Sequence, residues 1–155
     1  MTENDNPRTL ELKRVLAAPR AAIWRCWTEP DLLVRWFTPT PWRTIRAELD
    51  VRPGGTMHVV MQGPDGPEVP TSGVYLEVVP ESRLVWTDAY SRAWIPAEEP
   101  FFTAAVTLAD VSGGTEYRAT AAHWTEDARK RHEDMGFHEG WGMAASQLEA
   151  LAQSL

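Results

Sequence analysis

The side chains able to do chemistry are few and scattered along the chain. There are four histidines, His58, His123, His132 and His138. His132 and His138 stand six residues apart, on different sides of a helix, so they form no facing pair. Asp134 and His138 are four apart and can face each other, where an exposed ion pair is a simpler outcome than a metal site. No CxxC, HExxH or histidine–carboxylate triplet with ligand spacing occurs, so neither metal nor cofactor is expected. His123 is the polar residue of most interest, because it continues the inward side of a strand and precedes a helix. There it can hydrogen-bond a ligand or act as an acid or base; a bond to a local backbone group is the competing reading. Tyr117 and Tyr75 carry hydroxyls able to orient a ligand, and Asp88 shares a strand with Trp86. His123, Tyr117 and Asp88 are thus the candidate catalytic groups, although no catalytic motif surrounds them.

Other polar features have plainer readings. There is no GxSxG, and Ser112 lies in a turn without an evident base. Pro53-Gly54-Gly55 and Gly113-Gly114 precede strands, whereas a phosphate-binding loop opens a helix. Glu98 and Glu99 lie in a polar, proline-broken loop with nothing apolar nearby to raise a carboxyl pKa. Cys26 is the single cysteine, which excludes an internal disulfide, and its apolar neighbours predict a buried, inert thiol. The run 127–134, DARKRHED, reads as the solvated start of a helix.

The elements that must position these groups belong to one domain, expected over residues 9–155 behind a frayed tail of residues 1–8. The apolar content of 43% and charged content of 24% fit a globular protein. A formal net charge of −7 disfavours a nucleic-acid partner and docking on anionic lipid. No apolar run approaches the ~20 residues that cross a bilayer, and Met1 to Asn6 is too polar for a signal peptide. The cytoplasm is the expected location. Eight tryptophans in 155 residues hint at a pocket, since an indole suits apolar surroundings that still offer its N–H a partner.

Alternation of apolar and polar residues predicts strands at 9–17, 44–50, 56–61, 72–79, 83–90, 101–110 and 115–124. The last is clean, with Tyr117, Ala119, Ala121 and His123 on one side. Residues 63–70 read as a hairpin loop, and 91–100, with Trp94 and Ile95, as a long loop or flap. Two short helices follow the first strand, the first with Pro19 in its opening turn, the second capped by Thr28 with Pro30 in its first turn. Short turns between strands favour an antiparallel meander. The last thirty residues predict a long helix whose Trp141, Ala144, Ala145, Leu148, Leu151 and Leu155 share one face. Gly136, Gly140 and Gly142 within it predict a kink or a close approach to the sheet.

This order of elements resembles the START-like, or SRPBCC, superfamily with its helix-grip fold, and within it the branch of activator of heat-shock protein 90 ATPase homologues. The likeness rests on RVLAAPRAAIWRCWTEPDLLVRWF (14–37), RPGGTMHV (52–59), SGVYLEVVPESRLVWTD (72–88), VTLADVSGGTEYRAT (106–120) and HEGWGMAASQLEAL (138–151). It implies an α+β fold, a curved antiparallel sheet of about six to seven strands wrapped around the C-terminal helix, with a cavity between them and no regular metal or cofactor. Carried over by position, Trp24 and Trp27 lie near the mouth of that cavity, with Met57, Val59 and Met61 on the third strand. Tyr75, Trp86, Val106, Tyr117 and His123 come from later strands, Trp141 and Met143 from the helix.

Three functions compete. The first is binding of a small, mostly apolar molecule in that cavity. The second is stimulation of a heat-shock ATPase by surface contact, although activators of that branch usually carry a further N-terminal domain. The third is a cyclase- or hydrolase-like enzyme using the same cavity. Trp42, Trp94 and Ile95 are apolar residues suited to a homodimer interface if exposed.

Overall fold

The structure, a computed structural model, describes residues 6–155. The chain runs β1 (Thr9–Leu16), α1 (Arg20–Thr28), α2 (Pro30–Leu33), β2 (Arg43–Leu49), β3 (Thr56–Gln62), β4 (Glu68–Val79), β5 (Arg83–Thr87), β6 (Tyr90–Arg92), β7 (Ile95–Pro96), β8 (Phe102–Val111), β9 (Gly114–His123), α3 (Glu126–Asp134) and α4 (Phe137–Gln153). Among the described residues, seven strands form one antiparallel sheet in the order β1-β9-β8-β5-β4-β3-β2, while β6 and β7 pair separately. The fold is α+β and is that of the helix-grip proteins.

Burial follows the alternation. In β9 every second residue from Thr115 to His123 is buried, which puts Tyr117, Ala119 and Ala121 on the core face. Two register shifts, between Thr44 and Arg46 and between Tyr75 and Glu77, bend the sheet as bulges do. The concave face receives α4 through Ala144, Ala145, Leu148, Leu151 and Ala152. The Arg14 guanidinium lies over Gly142, 3.0 Å from where a Cβ would stand, and donates to the Ser146 hydroxyl at 3.0 Å, so β1 reaches α4 there through this side chain.

Side chains of α4 also fasten distant parts of the chain. Gln147 donates to the carbonyls of Trp36 and Thr38, both at 2.8 Å, and its own carbonyl accepts from the Thr40 N–H and hydroxyl. Glu149 accepts from the Ala17 N–H at 2.6 Å, and Gln153 donates to the Ala17 carbonyl at 3.1 Å. The helix is therefore held at the turn after α2 and at the end of β1.

Several local expectations need correction. The single long helix is two, because Gly136 takes a left-handed φ of 97° and the chain turns between α3 and α4. Thr28 is no cap for α2; it ends α1 and its hydroxyl donates to the Trp24 carbonyl, while Glu29 stands at the cap. Pro19 is the residue before α1 and not part of its opening turn, and α2 is a single turn ending at Leu33. The loop expected at 63–70 gives way to strand at Glu68, since pairing with Gln62 extends the β3–β4 hairpin. Residues 91–100 are partly ordered as the β6–β7 hairpin, with Trp94 at φ 66°. Leu155 lies beyond the last helical turn and is exposed. Residues 1–5 of the expected frayed tail lie outside the described residues. Pro7 and Arg8 are tied down, for their carbonyls accept from Arg129 Nε and the His123 N–H.

Candidate functional site

Between the concave sheet face and α4 lies a cavity of ≈ 370 Å³. Its wall is mostly apolar: Leu12, Trp27, Met57, Val59 and Trp86 from the α1 side and the sheet, Phe137, Trp141, Ala144 and Ala145 from α4. The turn after α2 closes one side with Trp36, Phe37 and Pro39. Trp27 packs against Trp36, Phe37 and Trp86 at ring separations of 4.8, 5.8 and 5.0 Å, so the indoles form one rigid panel. The Trp36 N–H is satisfied by the Cys26 carbonyl at 3.0 Å.

Polar groups are confined to a few points on this wall. Tyr117 places its phenol at the cavity, and burial pushes its pKa well above the ordinary value. The buried Trp27 N–H stands close enough to favour the phenolate, yet makes no hydrogen bond of acceptable geometry. Asp88 reaches the cavity from the end of β5, and its Oδ1 accepts the N–H groups of Phe101 and Phe102 at 2.8 and 3.2 Å. Burial raises the pKa of this carboxyl despite those two donors.

His132 also faces the cavity. Its Nδ1 meets Nε2 of His123 at 2.8 Å, and Nδ1 of His123 donates to the Arg8 carbonyl at 2.9 Å. Aromatic rings surround the pair, with Phe101, Phe102, Phe137 and Trp141 at centroid distances of 4.9, 5.5, 5.3 and 6.0 Å from His132. Burial lowers the pKa of His132 to about 4 and lowers that of His123 as well.

Seven of the twelve residues carried over by position border the cavity: Trp27, Met57, Val59, Met61, Trp86, Tyr117 and Trp141. The other five are placed elsewhere. Trp24 is half-buried against the core, and Val106, on β8, is buried within the core cluster without bordering the cavity. Tyr75 is buried and its hydroxyl has no partner among the described residues. His123 is buried one ring behind the wall, bonded to backbone as its simpler reading had it and to His132 as nothing in the spacing foretold. Met143 is 47% exposed, because the helix turns its Gly142, Ala144 and Ala145 inward and leaves position 143 outside. Asp88 does border the cavity, whereas Asp134 and His138 do not pair; His138 bonds Glu133 at 2.8 Å instead.

His132 is the cavity-lining residue that the sequence pattern hid. It lies in a strongly charged run that reads as solvated surface, and its burial depends on the turn at Gly136. That glycine was the available signal, since a break there frees α3 to lean its own face on β9. Among the described residues no cluster of histidine, cysteine and carboxylate groups could hold a metal ion, and no helix is long and apolar enough to cross a membrane. Cys26 is fully buried, with its thiol pushed up to about 11.

The curved sheet, the gripping helix and the cavity between them define a START-like domain of the SRPBCC fold. The chain belongs to the family of Activator of Hsp90 ATPase homolog 1-like proteins, whose pattern matches residues 17–153. It is similar to a protein from Nitrosomonas europaea of known structure, 47% identical over 97% of each chain with a TM-score of 0.93. A protein from Chromobacterium violaceum is 25% identical over 92% of this chain and 96% of that one, with a TM-score of 0.73. An AHSA1-like protein from Aeromonas hydrophila, 18% identical over 94% and 92% of the two chains with a TM-score of 0.72, shares the fold. No curated protein matches the chain.

Proposed function

We propose that this protein binds a small, mostly apolar molecule in the cavity between the sheet and α4. The observation that carries this reading is the composition of the wall: an aromatic and aliphatic surface around ≈ 370 Å³, interrupted only where Tyr117, Asp88, His132 and a few hydroxyls stand. A space of that size is in the range of small-molecule pockets, and apolar walls with a few placed polar groups are their usual make-up. Met57 and Met61 add side chains that adapt to irregular shapes.

The test is binding of the fluorescent apolar probe N-phenyl-1-naphthylamine to the purified protein and to its Ala145→Phe variant. Ala145 borders the cavity from α4, so the added ring fills the space. Saturable binding by the wild type and its loss in the folded variant are expected. Equal binding by both would place the probe elsewhere and sink the reading. Mass spectrometry of what the denatured protein releases would then identify the natural occupant.

A further inference from the structure

One end of the cavity is chemically asymmetric, and the asymmetry starts at a backbone carbonyl. The oxygen of Arg8 can only accept, and it takes both the N–H and the ring Nδ1–H of His123, at 2.8 and 2.9 Å. A neutral imidazole has one N–H, so Nε2 of His123 is bare. That nitrogen lies 2.8 Å from Nδ1 of His132, and the bond between them exists only if His132 carries its proton on Nδ1. Nε2 of His132 is then a bare acceptor too. It has no partner among the described residues, and it is not one of the sealed polar atoms, so it is the ring atom left to an occupant of the cavity.

Asp88 adds to this bias. Its Oδ1 is engaged by the N–H groups of Phe101 and Phe102, while Oδ2 has no partner among the described residues. The rings of the same two residues pack on His132 at 4.9 and 5.5 Å, which puts the carboxyl and the imidazole at one end of the cavity. The nearby cations do not reverse the sign. Arg129 is bonded to Glu133 and to the Pro7 carbonyl, Arg131 lies over the Phe101 ring, and neither borders the cavity. Among the described residues no carboxylate hydrogen-bonds either histidine, and burial holds both in the neutral form.

We propose that this end of the cavity receives the hydroxyl group of an apolar alcohol or phenol, donated to Nε2 of His132, and rejects the matching carboxylate. The proposal rests on the binding function above and adds the chemistry of the ligand's head group. A hydroxyl supplies the proton that both open acceptors lack. A carboxylate would bring lone pairs and charge against lone pairs and charge.

Three probes of one shape test it: 2-naphthol, 2-methylnaphthalene and 2-naphthoate, titrated by calorimetry at pH 7. Naphthol is expected to bind about five- to tenfold more tightly than methylnaphthalene, the worth of one net hydrogen bond, and naphthoate more weakly than either. In His132→Phe the ratio of naphthol to methylnaphthalene affinity should fall to near one. In Asp88→Asn, which keeps the acceptor for Phe101 and Phe102, the gap between naphthoate and naphthol should narrow; this variant serves also if His132→Phe does not fold. Equal affinity for naphthol and methylnaphthalene in the wild type, or naphthoate as the tightest of the three, would overturn the head-group assignment and leave cavity binding standing. Binding of none of the three would overturn both.

Discussion

Nε2 of His123 and Nδ1 of His132 share a hydrogen bond of 2.8 Å, and through it the last strand, the segment before the first strand and α3 meet at one pair of rings. The bond is possible only while at least one of the two facing nitrogens is unprotonated. Stability should follow the protonation of this pair. His132 titrates near 4 in the native state against ~6.5 when unfolded, so between those values the unfolded chain binds a proton that the native protein does not. Stability therefore rises with pH across that window, is complete above it, and is lost as pH falls toward 4. The loss assigned to His132 is about 2–3 kcal/mol. Asp88, whose carboxyl is raised by burial, contributes with the opposite sign just above its unfolded pKa. The histidine contribution is thus read as the difference between wild type and His132→Leu in urea unfolding at pH 7 and pH 4.5. Identical slopes in the two proteins would contradict it.

Gln147 makes four polar contacts with the turn after α2. Replacing it by leucine keeps the volume and removes every one, leaving the carbonyls of Trp36 and Thr38 without this donor. The expected cost is about 2–4 kcal/mol, seen in denaturant unfolding. A change below about 0.5 kcal/mol would show that water substitutes fully for the side chain.

Ala145 and Ala119 are equally buried, each at 1% exposure, but only Ala145 borders the cavity. Ala119→Phe should cost about 1–3 kcal/mol or more by overpacking, whereas Ala145→Phe should cost less than about 1 kcal/mol because space awaits the ring. Thermal unfolding of the two variants side by side measures the contrast, and reversal of the order would mean that the cavity is closed in solution.

Gly73 crosses so near β5 that an added Cβ would stand 2.4 Å from the Thr87 carbonyl oxygen. The obstacle is backbone and cannot rotate away. Gly73→Ala should destabilise by about 2 kcal/mol or more. Gly66, which has nothing within 4 Å of the same position, should tolerate alanine within about 0.5 kcal/mol.

Thiol reagents should leave Cys26 untouched in the native protein, since the side chain is fully buried and its thiol is pushed up to about 11. Modification should proceed at the rate of unfolding, and fast labelling under native conditions would contradict this.

What could be read from the sequence was what depends on neighbours along the chain. Tyr117, Ala119, Ala121 and His123 were identifiable as one face because a strand's alternation is a local property. The face of α4 was legible for the same reason, from Ala144 to Leu151. Met143 lies on the inner face by resemblance alone; the helical angle that buries Gly142, Ala144 and Ala145 leaves it outside. His132 was missed because its burial is a tertiary fact: Gly136 must first end α3, and the Phe101–Phe102 pair must then cover the ring. The β6–β7 hairpin escaped because its pairing is only a few residues long, shorter than any period can register.

The first and last strands of the sheet are partners, with Thr9 opposite Ala122 and the Arg8 carbonyl bonded to a residue 115 positions later. Such pairing sets the order of events in folding. A chain emerging from the ribosome cannot satisfy β1 until β9 has been made, so β1 stays without its strand partner throughout most of synthesis. Closure of so long a loop comes late and slowly. The interval in which β1, carrying Leu10, Leu12 and Leu16, stands open to other chains is the period in which this protein is most exposed to misassembly.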